Sequence, residues 1–120
     1  MNNTVFDHEL IHLLQRLFDK IYDSHIKVRG SYKGTSCYVL LPVRLIRGLG
    51  LNKGIRFNAV IRENMVVYEE DPNGEYDIKN YGRKDRPAYY IRFPIRKDDK
   101  TPVKIIIDSV KPLRFYVVFK

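Results

Sequence analysis

GTSCYVLLPVRLIRGLGLNKG, running from Gly34 to Gly54, is the stretch whose reading decides the fold. Its first part, Cys37-Tyr38-Val39-Leu40-Leu41, is aromatic and β-branched, which suits a strand at 37–41. Pro42 then opens a short helix, because its missing N–H would be unpaired in a first helical turn anyway. Gly50 closes that helix, since glycine takes the positive φ of a C-terminal cap at little cost. Leu45 and Leu49 fall on one face at a four-residue step, whereas Arg44 and Arg47 share another at three. Apolar contacts can therefore fix the helix while two guanidiniums project together.

Working outward, period-two alternation predicts further strands at 26–30, 55–61 and 65–69. Gly30, Ser31 and Gly34 supply a turn before the quoted stretch, and Glu63-Asn64 another after it. Upstream, Phe6, Leu10, Leu14, Leu17 and Ile21 repeat at helical steps, so an amphipathic helix is expected from about Val5 to Tyr22. Within it, His8-Glu9-Leu10-Ile11-His12 spells the H-E-x-x-H of zinc peptidases. Neither Gln15 nor Phe18 supplies the third histidine of the extended motif, and 120 residues leave little room for a substrate cleft. A small zinc peptidase is thus the remote reading, and ordinary helix-surface residues the expected one. No catalytic residue, metal or cofactor is assigned.

Charge is segregated along the chain. The total is +8, with 22 Lys and Arg against 14 acidic residues. Between Asp23 and Glu63 there is no acid at all, while Lys27, Arg29, Lys33, Arg44, Arg47, Lys53, Arg56 and Arg62 all fall there. Glu63, Glu69, Glu70, Asp71, Glu75 and Asp77 then face only Lys79. A one-sign block of this kind attracts phosphate, because an idle surface would intersperse both signs. A second basic block, Arg83 to Lys104, is diluted by Asp85, Asp98 and Asp99. No apolar run approaches the roughly 20 residues of a membrane span, and no signal peptide is visible, so a cytoplasmic, nucleoid-associated protein without a membrane partner is expected. Cys37, the single cysteine, reads as a small buried hydrophobe.

The order strand, Gly-Thr-Ser-x-Tyr-Val-Leu-Leu-Pro, short helix, Leu-Gly-Leu-x-Lys-Gly, strand pair resembles the AbrB/MazE/VapB (SpoVT-AbrB) swapped-hairpin family over about 26–70. Gly34, Ser36, Tyr38, Val39, Leu41, Pro42, Leu49, Gly50, Leu51 and Gly54 carry the resemblance, followed by Met65-Val66-Val67-Tyr68-Glu69. Ile55 departs from it, because many members have an acid there. The resemblance implies a mainly β barrel of interleaved hairpins, with an N-terminal helix added here, and a transcriptional regulator binding double-stranded DNA. The family's helix arginine falls on Arg47, and its basic strand and loop on Lys27, Arg29 and Lys33; Arg44, Lys53 and Arg56 join the expected DNA-binding set from charge and position. The alternative is an antitoxin that also binds its own promoter and a toxin protein. Residues 87–120 do not read as a disordered toxin clamp, because apolar runs at 89–93, 103–107 and 113–119 suit strands.

Those runs hold a further pattern. Tyr90-Ile91-Arg92-Phe93-Pro94-Ile95-Arg96 echoes Tyr38-Val39-Leu40-Leu41-Pro42-Val43-Arg44. Val103 to Asp108 would stand for the third strand of a degenerate second copy, and Phe115 to Phe119 for the fourth. The expected organisation is a helix at 1–24, a DNA-binding unit at 25–70, a polar linker at 71–86 and a C-terminal β unit at 87–120, forming a homodimer or a single-chain pseudo-dimer. Fifteen aromatic side chains, nine Tyr and six Phe, mostly suit strand packing. Tyr32, Tyr38 and Tyr90 are the ones beside basic residues that could stack on bases.

Overall fold

A computed structural model describes residues 21–32, 34–51 and 54–119. The expected helix and the H-E-x-x-H motif lie almost wholly outside these residues, as do Lys33 and Lys53. The described chain forms β1 (Ile21–Ser31), β2 (Gly34–Leu41), α1 (Val43–Leu49), β3 (Arg56–Ile61), β4 (Met65–Glu70), β5 (Tyr76–Asn80), β6 (Tyr89–Phe93), β7 (Pro102–Val110) and β8 (Leu113–Val118). The strands close an antiparallel barrel in the order β1-β2-β6-β5-β3-β4-β8-β7.

Eight strands enclose an interior just wide enough for side chains to fill. Ile26, Val39, Leu41, Phe57, Val66, Tyr68, Ile91, Ile105, Phe115 and Val117 fill it, alternating along their strands with outward residues. Tyr68 stacks on Phe115 at 5.0 Å between ring centroids, and Phe57 meets Phe115 edge-on at 5.5 Å. Each such ring contributes about 2–3 kcal/mol through burial. The one phenol in this core keeps its hydroxyl satisfied, since Tyr68 Oη donates to the Arg92 carbonyl at 2.7 Å.

The pairing has an internal twofold relation. Ile26 pairs with Val39 and Lys27 with Tyr38 in the first hairpin; Ile78 pairs with Ile91 and Lys79 with Tyr90 in the third. In the same way Val60 faces Val67 in the second hairpin and Ile106 faces Tyr116 in the fourth. β1 pairs with β7 as β5 pairs with β3. Where the halves meet, Val39 pairs with Ile91 and Val67 with Tyr116, so each residue faces its own counterpart. The sequence echo between residues 38–44 and 90–96 is therefore matched by strand position.

Three expected boundaries change. The segment 21–24, assigned to the helix, is strand: Ile21 pairs with Ile106 and Asp23 with Lys104, whose ammonium lies 2.8 Å from the Asp23 carboxylate. Ile21 continues a helical repeat, but it also fits β alternation, and pairing with β7 decides in favour of β. The 71–86 segment is not merely a polar linker, because Tyr76–Asn80 form β5 between β3 and β6. The turn before β5 is fastened. Arg56 Nε donates to the Gly74 carbonyl at 2.6 Å, Asn58 Nδ2 to Asp71 at 3.2 Å, and the Asp71 N–H to the Arg56 carbonyl at 2.9 Å. Finally, 25–70 and 87–120 do not stand as separate units, since β2 pairs with β6, β4 with β8 and β1 with β7.

Candidate nucleic-acid interface

The outer surface of β1, β2, β6 and β5 collects the outward residues of both halves. Across it run the pairs Lys27 with Tyr38 and Tyr38 with Arg92, and beside them Leu40 with Tyr90 and Tyr90 with Lys79. Arg29 and Ser36 form a third row. Alternation explains the arrangement: Ile26, Cys37, Val39 and Ile91 point into the core, so their neighbours must point out.

Tyrosines occupy the centre of this face. Tyr38 lies edge-on to Tyr81 at 5.9 Å and to Tyr90 at 6.5 Å, and Tyr81 lies 5.9 Å from Tyr90. The Arg29 guanidinium sits 4.3 Å from the centroid of the Tyr81 ring, and that of Arg92 sits 4.4 Å from Tyr76. Cation–π contact orients these arginines without neutralising them. Lys27, Arg29, Lys79 and Arg92 are exposed, and none makes an ion pair among the described residues. Acids approach at two places: Glu75 and Asp77 line a pocket of this face with Tyr38, Lys79, Tyr81, Tyr90 and Arg92, and Asp99 stands at the edge of β1. Beyond Ile26, β7 no longer pairs with β1, and the Asp99 carboxylate accepts the Val28 N–H at 2.9 Å in its place. That hydrogen bond holds the Asp99 carboxyl below its ordinary pKa, with Lys27, Lys100 and His25 adding to the effect.

The opposite face differs in kind. Val60, Val67, Tyr116, Ile106 and Ile21 are cross-strand partners in one largely apolar row. Two of its basic residues are ion-paired: Arg114 bonds Asp108 at 2.6 Å and Glu69 at 3.0 Å, and Lys104 bonds Asp23 at 2.8 Å. The tyrosine face thus carries four cations outside any ion pair among the described residues, with Glu75 and Asp77 beside two of them.

α1 presents a second basic group. Its N-cap is Pro42, and Leu45 and Ile46 are its buried residues, with Leu49 half-buried beside them. Gly50 takes φ 61°, and the N–H groups of Gly50 and Leu51 reach the carbonyls of Arg47 and Ile46. Arg44 and Arg47 are both exposed, as their spacing predicts, and the Arg44 guanidinium lies 6.0 Å from the Tyr22 ring. Tyr22 and Arg29 are separated along β1 by roughly 23 Å at strand rise. Arg44 and Arg47 therefore do not merge with Lys27 and Arg29 into one cluster. Arg56 has another occupation, tying the turn before β5.

Lys79, Tyr81 and Arg92 belong to this face but not to the set expected from sequence. The echo of Tyr38 in Tyr90 carried their signal, since counterparts of surface residues on β1 and β2 must surface on β5 and β6. A groove of about 530 Å³ beside α1 is lined by Ile46, Leu51, Gly54, Ile78, Lys79 and Tyr89, among others. Among the described residues no group of three or more His, Cys, Asp or Glu could hold a metal, and no helix is long and apolar enough to cross a membrane. No family model matches the chain, and neither a curated protein nor a solved structure does, so its functional reading is carried by the residues and geometry above.

Proposed function

We propose that the chain binds duplex DNA through the outer face of β1, β2, β6 and β5, as a transcription regulator in the cytoplasm. The carrying observation is the set of exposed cations outside any ion pair among the described residues, Lys27, Arg29, Lys79 and Arg92, ranged around Tyr38, Tyr81 and Tyr90. The fold we assign to it is an AbrB-like swapped-hairpin barrel completed by one chain, a reading supported by the twofold relation between the halves and by the motif of residues 34–54.

The proposed mode is groove reading. The major groove is about 12 Å wide and takes a two-stranded ribbon. In this mode the central strands β2 and β6, flanked by β1 and β5, turn Tyr38, Leu40, Tyr90 and Arg92 towards base edges. Lys27 and Lys79, one strand further out on either side, then meet the phosphates. Arg44 and Arg47 on α1, and Arg83, Lys84 and Arg86 in the β5–β6 loop, extend the positive field.

Salt titration tests this. With roughly 4 to 8 phosphates contacted, log affinity for duplex DNA falls against log salt with a slope near −4 to −7. A slope near zero, or loss of binding no greater for Arg29→Ala and Arg92→Ala than for Arg114→Ala on the opposite face, sinks the assignment.

A further inference from the structure

The two halves are counterparts in position but not in chemistry. Lys27 answers to Lys79, Tyr38 to Tyr90 and Arg44 to Arg96, yet Arg29 answers to Tyr81 and Leu40 to Arg92. Where the first half crosses from β2 to β3 through α1, the second crosses from β6 to β7 through residues 94–101, which form no helix. The Arg29–Tyr81 and Leu40–Arg92 differences lie on the tyrosine face. Arg29 and its counterpart meet over the twofold axis, with the guanidinium 4.3 Å from the Tyr81 ring. Two identical chains would set two guanidiniums against each other there; this chain sets a cation against an aromatic face, which attracts.

We infer that a single chain occupies one DNA site that is not an inverted repeat, the second half supplying contacts of its own through Lys79, Tyr81 and Arg92. The inference rests on the proposed DNA binding and deepens it. A homodimeric reader with one unit per chain imposes its symmetry on the site, so half-sites mirror one another. Here the chain closes the barrel itself, because every strand has two strand neighbours within the chain. The symmetry available to the DNA is only approximate. Arginine and lysine donate to guanine, whereas tyrosine offers a ring face and one hydroxyl, so positions 29 and 81 favour different partners. Leu40 and Arg92 differ still more, one apolar and one a planar fork of donors.

Selection from a random-sequence duplex library, followed by titration of the enriched duplex in an analytical ultracentrifuge, tests it. The expected result is a motif lacking twofold repeat and one chain bound per duplex. Arg29→Ala and Arg92→Ala, both at exposed positions and checked for unchanged melting, should each weaken binding about five- to hundredfold and relax preference at different positions of the motif. An inverted repeat, two chains per duplex, no enriched sequence, or an unaffected Arg92→Ala overturns the inference while leaving duplex binding intact. Wild-type protein that binds no duplex at low salt removes the proposed function, and the inference with it.

Discussion

Asp99 is the acid that stands against Lys27, and its carboxylate is there because β1 needs an acceptor where β7 leaves it. Asp99→Asn keeps an oxygen for the Val28 N–H and removes the charge. Affinity for DNA at low salt should rise a few-fold, and the gain should shrink as salt screens the site; a fluorescence-anisotropy titration measures it. Tyr68 shows the opposite balance of charge and burial. Desolvation, with the nearby Tyr76, raises its pKa well above the ordinary 10.0, although Arg92 pulls the other way. The native state thus favours the protonated phenol. Its contribution is complete below pH 10, the unfolded value, and is lost as pH rises towards the folded one. Tyr68→Phe should destabilise by about 1–2 kcal/mol at pH 7, because the Arg92 carbonyl loses its donor. The variant should also lose stability less steeply than wild type above about pH 10, as urea melts at neutral and alkaline pH would reveal.

Among the elements, α1 was legible because a proline, two arginines and a glycine each have one good place in a short helix. Gly50→Ala tests that logic: alanine at φ 61° should cost about 1 kcal/mol and lower the melting temperature by a few degrees. Gly74→Ala should do far more, since an added Cβ would stand 2.2 Å from the Phe57 carbonyl oxygen and the turn into β5 would have to open. Calorimetry of the two variants compares a strained cap with a steric clash. β5 itself was not legible. Tyr76-Asp77-Ile78-Lys79-Asn80 alternates, but it is short and carries charges on its outward side, so composition alone reads as linker. Its strand character comes from β3 and β6 on either side, partners separated from it in sequence by β4 and by residues 81–88, so that no local pattern specifies the pairing. The site divides the same way. Lys27 and Arg29 stood out in a one-sign block, whereas Lys79 follows an acidic stretch and Arg92 falls in a basic block diluted by acids, and the two join that face only when the barrel brings β5 and β6 beside β2.

For the molecule as a whole, what matters is which chain supplies each strand's neighbour. β1 lies between β2 and β7, and β3 between β4 and β5, so each half of the chain completes its sheet only by pairing with the other half. Such pairing leaves neither half with a core of its own: Ile26, Val39 and Phe57 pack in the same cluster as Ile91, Ile105 and Phe115. Unfolding should therefore be a single cooperative transition involving both halves, with Val39→Ala and Ile91→Ala each destabilising by about 2–4 kcal/mol and lowering one shared midpoint. Because one chain closes the barrel, that midpoint should be independent of protein concentration over about a hundredfold range, whereas a barrel exchanged between two chains would gain stability with concentration by mass action. Equilibrium urea melts at several concentrations, followed by tyrosine fluorescence, distinguish the two without any DNA present. A concentration-dependent midpoint would mean that the interleaved strands come from different copies, and the Arg29–Tyr81 contact would then join two chains instead of two halves of one.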